Sequence, residues 1–240
     1  HQYDNTGGIS RIVTSGTSVS SGQVLSPGMD GCSIVRVPAN TPTYAIGRSG
    51  QTTGLNRVDM LDSTGLIASG FDELAGLSSG RVVEFASNST HVWVASTFDS
   101  NSFFATSILQ GEILQNGSVR WEYGYNLLDD DVINSMHLDG DTMWVTTAGR
   151  GLYSINLLQR SYSSTAPALH GQMDGMVLDD DDGMLYVGLM GNEGSAAGFQ
   201  SFDTSSLSWG DGSLLAGLPN DIVKDLSLIH ISEPTRPLEI

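Results

Sequence analysis

The chain has 240 residues, a length that fits one large all-β domain or two smaller domains. Hydrophobic residues make up 39% of it, enough for a packed core, and its 29 glycines indicate many turns. The formal net charge of −17 argues against a nucleic acid or an anionic membrane surface as partner, because both would repel the chain. A single cysteine excludes an internal disulfide and a cysteine-based zinc site. No apolar run reaches about 18 residues, so no membrane-spanning helix is expected.

Four short apolar segments carry an aromatic residue at the same place, at intervals of roughly 40 to 50 residues. Each segment is bounded by glycine or polar residues and is rich in β-branched or aromatic residues, which predicts a buried strand. The four aromatics are Tyr44, Trp93, Trp144 and Tyr186. Their equivalent places favour packing between sheets over a carbohydrate-binding platform.

A glycine-flanked segment follows three of the four aromatics, and after Trp93 it is degraded to residues 102–106 (SFFAT). Residues 151–156 (GLYSIN) match residues 54–59 (GLNRVD) and 198–203 (GFQSFD). Their apolar positions lie three apart, which predicts a bulge or a local twist. One more strand is expected before Trp93, Trp144 and Tyr186, a fourth strand is expected around residues 159–162 and 206–209, and no helical period occurs. Units of this length with four short strands indicate a β-propeller, so the predicted fold is all-β.

The predicted organisation is a β-propeller fragment of about four four-stranded blades with partial blades at both ends. The predicted segments are a remnant of a preceding blade at 1–32, blades at 33–79, 80–128, 129–168 and 169–216, and the start of a further blade at 217–225.

The blade sequence resembles a known family. Residues 217–225 (GLPNDIVKD) resemble the opening of a two-component regulator propeller repeat, and residues 139–156 resemble its continuation, in which an acidic turn leads to a tryptophan strand and a glycine-flanked leucine. The resemblance implies a periplasmic or extracellular sensing or scaffolding region attached to a membrane anchor or signalling domain. The repeats here are longer and uneven, and the sequence contains no kinase or anchor, so it does not support a signalling role.

The amino-acid composition changes at the C-terminal residues of the chain. Residues 226–236 (LSLIHISEPTR) resemble the conceptual translation of a transposase-type sequencing-library adapter. Residues 226–240 are therefore expected to be a non-native tail, appended to a reading frame truncated in an assembled environmental (metagenomic) sequence.

Residues 178–183 (LDDDDG) hold the most concentrated carboxylates. An EF-hand loop aligned on Gly183 would use Asp180 and Asp182, but leucines occupy its first and last ligand positions, so that motif fails. A looser calcium site at Asp180 and Asp182 is one hypothesis. The alternative is a hairpin turn, because Asp-Gly suits backbone with positive φ. No other cofactor is expected.

No catalytic residue can be named from the sequence. The histidines form no metal-binding pair, and neither a nucleophile elbow nor a phosphate-binding glycine loop is present. The glycine-rich residues 188–198 are a hypothetical ligand-binding loop. Glycosylation sequons at Asn88 and Asn116 favour an external location.

The favoured function is a secreted or cell-surface β-propeller that serves as a binding or scaffolding module for an unknown protein or carbohydrate. One alternative is a propeller-based enzyme, a lyase or glycosidase, that acts on extracellular polymers. Another is the sensor region of a two-component signalling receptor.

Overall fold

The computed structural model describes residues 8–15, 18–27, 31–37, 43–48, 57–62, 67–71, 81–100, 103–115, 119–129, 133–149, 151–165, 173–179, 182–189 and 198–214. These residues form 18 strands and, within the described ranges, no helix. The strands are β1 (Gly8–Ser15), β2 (Ser18–Pro27), β3 (Gly31–Val37), β4 (Thr43–Arg48), β5 (Arg57–Asp62), β6 (Ile67–Phe71), β7 (Arg81–Ser87), β8 (His91–Ser100), β9 (Phe103–Ile113), β10 (Val119–Asp129), β11 (Ile133–Asp139), β12 (Thr142–Thr147), β13 (Gly151–Asn156), β14 (Ser161–Thr165), β15 (Met173–Asp179), β16 (Met184–Leu189), β17 (Gly198–Asp203) and β18 (Ser208–Leu214).

Each sheet is built from strands that are consecutive in the chain. Four sheets have four strands each, β3 to β6, β7 to β10, β11 to β14 and β15 to β18, and β1 pairs with β2 in a smaller sheet. Every described strand pairing is antiparallel. The predicted fold class, all-β with four-stranded propeller blades, is confirmed. The domain boundaries stay predictions, and residues 217–225 and 226–240 lie outside the described residues.

The chain divides into two compact units, His1–Ile133 and Asn134–Ile240. Within the first unit, β7 contacts β3 and β4 of the preceding sheet. Within the second unit, β15 contacts β12 of the preceding sheet. In both units the first strand of a sheet therefore lies against the sheet before it, as expected of stacked repeats.

Burial differs between the middle and the last strand of a sheet. In β12 every residue from Met143 to Thr147 is buried, so both faces of this strand are covered. In β14 (SYSST) the first four residues are exposed. A strand covered on both faces needs consecutive apolar residues, whereas a polar edge strand resists pairing with other chains.

The expected bulge in residues 151–156 is not found. β13 pairs with β12 and with β14 without any register shift. Leu152, Tyr153 and Ile155 are all buried, so the spacing of the apolar positions reflects burial on both faces. A register shift does occur in the equivalent β17, between Gln200 and Phe202 in its pairing with β18.

The core of the second unit lies between its two sheets. Trp144 of β12 and Leu152 of β13 are clustered with buried residues of the last sheet, which are Met173, Leu178, Leu185, Val187, Leu189 and Phe202. The Phe202 ring lies edge-on to Trp144 at a centroid distance of 5.4 Å and to Trp209 at 4.9 Å. Such edge-to-face pairs add about 0.5–1.5 kcal/mol each to the burial of the rings. The predicted packing of the repeat aromatic between sheets is confirmed for Trp144, whereas the equivalent Tyr186 is partly exposed.

The two equivalent tryptophans differ in hydrogen bonding. In the β7 to β10 sheet, Gln110 Oε1 accepts hydrogen bonds from Trp93 Nε1 at 3.2 Å and from the Tyr125 hydroxyl at 2.9 Å. The buried Trp144 Nε1 has no hydrogen-bond partner among the described residues. These two sheets therefore share a buried tryptophan ring but not a polar partner for the indole N–H.

We expect Phe202→Ala to destabilise the protein by about 3–5 kcal/mol, because it removes a fully buried ring and leaves a cavity between two tryptophans. Urea unfolding monitored by tryptophan fluorescence measures the change. Tyr162→Ala is the matched control, since this ring is exposed and its loss should cost about 0.5 kcal/mol or less. Equal losses in the two variants would contradict the assigned core.

Candidate functional site

The described residues of the acidic segment, 178–179 and 182–183, lie where β15 ends and β16 begins. The Gly183 N–H donates to the Asp179 carbonyl oxygen at 2.9 Å, and Gly183 has a φ of 70°. The Met184 N–H donates to Asp182 Oδ1 at 2.9 Å. The exposed Asp182 carboxylate thus closes the turn through the backbone, while Asp180 lies outside the described residues.

The carboxylates of this turn act on a neighbouring phenol. Burial raises the pKa of Tyr186, and the negative charges of Asp182 and Asp179 raise it further. Both carboxylates favour the neutral phenol because ionisation would add a third negative charge beside them. The surface around this turn therefore has a negative potential.

The preceding sheet has a turn at the same place. Gly140 lies between Asp139 and Asp141 and has a φ of 56°, a conformation that glycine adopts at little cost. The Leu157 N–H donates to the Asp141 carbonyl at 2.9 Å. In the last sheet the Thr204 N–H and hydroxyl donate to the Gly183 carbonyl at 3.2 and 2.9 Å. Each acidic turn is thus bonded to the turn that follows the third strand of its sheet.

The turns after the third strands, residues 157–160 and 204–207, share one design. Asp203 Oδ1 accepts the N–H groups of Ser205 and Ser206 at 2.8 and 3.1 Å. Asn156, at the equivalent position, accepts the Gln159 N–H through Oδ1 at 2.8 Å. These side chains organise the turns by satisfying backbone donors, which explains the repeated acid or amide at the end of the glycine-flanked segment.

The hydrogen bonds of this turn also favour the ionised form of Asp203. Its pKa is lowered below the usual range because the Ser206 N–H, the Ser206 hydroxyl and the Ser205 N–H donate to the carboxylate. The ionised form accepts these hydrogen bonds better than the protonated form does.

Both of these turns expose a leucine. Leu158 is 75% exposed and Leu207 is 61% exposed. The four turns lie at one end of the two sheets, because Trp144 near the start of β12 contacts Phe202 near the end of β17. We call this the turn end of the second unit, formed by residues 140–141, 157–160, 182–183 and 204–207.

Calcium binding at Asp180 and Asp182 stays a prediction. Among the described residues no group of three His, Cys, Asp or Glu side chains could hold a metal ion. The proposed ligand-binding loop is also untested, because residues 190–197 lie outside the described part of the chain.

Asn88 of the first sequon is exposed in the turn before β8, where its Oδ1 accepts the Thr90 and His91 N–H groups at 2.9 and 2.8 Å. Asn116 of the second sequon is not among the described residues.

The turn end was only partly predictable. The acidic turns and the place of the hairpins follow from Asp-Gly and from the repeat. The exposed leucines were missed, although a leucine in a turn sequence such as residues 204–209 (TSSLSW) is itself unusual and could have been noticed.

Comparisons with known proteins agree on the fold alone. No family model matches the chain, and no curated protein matches its sequence. The resemblance to two-component regulator propeller repeats therefore stays a prediction.

The solved structures with a similar fold include three that illustrate its range. The extracellular domain of a protein assigned as a one-component system of B. thetaiotaomicron has a TM-score of 0.54 and 15% identity over 76% of this chain. The Kuenenia stuttgartiensis hydrazine synthase has a TM-score of 0.58 and 14% identity over 78%. A Bacteroides uniformis protein assigned as a 6-phosphogluconolactonase has a TM-score of 0.62 and 14% identity over 91%.

The aligned region spans 21%, 49% and 68% of these three structures, respectively. At this identity the likeness concerns architecture and carries no function over to the chain. No helix in the described part of the chain is long and apolar enough to cross a membrane.

We expect Asp203→Asn to change how stability depends on pH. The pKa of Asp203 is depressed in the folded state, so its contribution to stability is present above the unfolded value of about 4 and is lost as the pH falls through the folded pKa. The stability difference between wild type and Asp203→Asn should therefore shrink below about pH 4. Thermal unfolding across an acidic pH series measures this. Asn156→Asp is the matched reverse exchange and should introduce the same dependence. Parallel pH profiles of wild type and Asp203→Asn would contradict the assignment.

We expect millimolar calcium to leave the thermal midpoint unchanged, because Asp182 belongs to no group of three side chains that could hold a metal ion among the described residues. Differential scanning fluorimetry with calcium, and with magnesium as control, tests this. A rise in the midpoint that Asp180→Asn/Asp182→Asn abolishes would instead establish the cation site.

Proposed function

We propose that the chain is a β-propeller module that acts outside the cell by binding or scaffolding another molecule. The observation that carries this proposal is the turn end, where two exposed leucines lie beside two acidic turns. Hydrogen bonds from backbone N–H groups to Asn156 and Asp203 order the backbone of the two turns that carry the leucines. Rigid turns that hold apolar side chains in water are typical of a recognition surface rather than of a folding requirement.

An external location is part of the proposal. The architecture is shared with an extracellular domain of a one-component system. The strongly negative net charge of the chain also favours its solubility outside the cell. A sensor region is a natural variant of the same function, because a sensor must first bind its ligand.

An enzyme is the competing function. One similar structure belongs to a protein assigned as a 6-phosphogluconolactonase, whose substrate name denotes a phosphorylated, anionic molecule. A net charge of −17 on this chain opposes the capture of such a substrate. The alternative of a lyase or glycosidase stays open to the same experiment.

The purified chain is tested against a basic polymer (polylysine), a neutral one (dextran) and an anionic one (polygalacturonate). Surface plasmon resonance measures binding, and reducing-end and unsaturated-product assays measure cleavage. We expect saturable binding in the order basic, neutral, anionic, without release of products. Cleavage of either polysaccharide would favour the enzyme, and absence of binding to all three would overturn the proposed function.

A further inference from the structure

The two leucines at the turn end are unexplained by the fold. Among the described residues, the exposed large apolar side chains are Leu158, Leu207 and the Tyr162 ring. Single exposed leucines are common on proteins, but these two occupy the equivalent hairpin turns of neighbouring sheets. The packing of Trp144 on Phe202 places both turns at the same end of the unit.

The backbone at Leu207 adds a second cost. Leu207 has a φ of 53°, in the left-handed region that glycine adopts far more readily than leucine. The turns before β12 and β16 use Gly140 and Gly183 at their positive φ. At Leu207 the chain keeps a strained, exposed apolar residue where glycine would relieve the strain. Arg160 has a φ of 54° at the equivalent position of the 157–160 turn, so the turn requires this backbone conformation but does not require a leucine side chain.

The charges around the leucines are acidic. The 204–207 turn is bonded through Thr204 to Gly183, next to Asp182, and it begins directly after Asp203. The 157–160 turn is bonded through Leu157 to Asp141. The acidic residues at the turn end are therefore Asp141 and Asp182, with Asp203 directly before the 204–207 turn, and Arg160 is the single basic residue within the four turns.

We propose that the turn end docks a protein surface that offers apolar pockets flanked by lysine or arginine side chains. The inference rests on the proposed binding function and names the chemistry of its partner. Leu158 and Leu207 enter the pockets, and the neighbouring carboxylates steer and orient the basic rim. A lipid surface fits less well, because anionic headgroups would meet the same carboxylates.

The probe is a synthetic amphipathic helical peptide with leucines on one face and lysines on the other, and its binding is measured by isothermal titration calorimetry. We expect Leu158→Ser/Leu207→Ser to weaken binding by at least about tenfold, because two leucines lose their apolar contacts. We expect Asp182→Asn to reduce the salt dependence of binding. Tyr162→Ser is the control, because the Tyr162 ring is exposed but lies outside the four turns. The affinity of this variant for the peptide should match that of the wild type.

Leu207→Gly separates recognition from folding. It removes both the left-handed strain and the apolar side chain, so we expect a higher thermal midpoint together with weaker peptide binding. Leu207→Ala keeps the β-carbon and with it most of the strain, so it should weaken binding without raising the midpoint. A side chain that served only the fold would lower stability when removed.

Several results would overturn this inference. They are undiminished affinity in Leu158→Ser/Leu207→Ser, equal binding of a peptide whose leucines are replaced by serine, and stronger binding to phosphatidylcholine vesicles than to the peptide. If any of these results is obtained but the chain binds polylysine, dextran or polygalacturonate, only the inference about the turn end is wrong. If the chain binds neither the peptide nor any of the three polymers, the proposed binding function is wrong as well.

Discussion

The packing of Phe202 between Trp144 and Trp209 is the contact on which the second unit depends. It joins two sheets that share no strand, and it does so near their turn ends. Because one ring contacts tryptophans from both sheets, a shift of either sheet would open a cavity at its centre. The positions of the four turns relative to one another follow from this apolar contact. The hydrogen bonds within the turns then fix their local shape.

The carboxylates of the second unit have a structural task before any ligand is considered. Asp182 and Asp203 accept backbone N–H groups, and Asn156 does the same without a charge. A turn of this kind forms with either an acid or an amide as the acceptor, so the negative charge is not required for the turn to form. The excess of acids over amides at such places instead contributes to the surface potential, which acts on partners and solubility.

The sequence predicted the parts of the fold that depend on repetition. The aligned aromatics located the second strand of each sheet, and the acid or amide at Asn156 and Asp203 marked the end of the third. Three features could not be predicted, for distinct physical reasons. Tyr186 is partly exposed although its equivalent Trp144 is buried, because burial depends on what covers the face of a sheet and not on the strand's own residues. Gln110 lies opposite Trp93 and accepts its indole N–H, whereas the shorter Ser154 lies opposite Trp144, and the sequence does not show which residues lie opposite each other. The positive φ of Leu207 could not be predicted from the sequence, because leucine rarely adopts this conformation.

Repetition also constrains where this protein can vary. The residues between the sheets must fill the same space in each repeat, and the residues that cap the turns must accept the same backbone donors. The side chains at the tips of the 157–160 and 204–207 turns meet neither requirement, and they differ between the two sheets: Leu158 corresponds to Ser205, and Arg160 corresponds to Leu207. A residue free of both packing and capping tends to become polar, because water is its main contact. Both turns nevertheless carry an exposed leucine, at different positions of the hairpin, and neither packing between the sheets nor capping of the turns accounts for these two side chains.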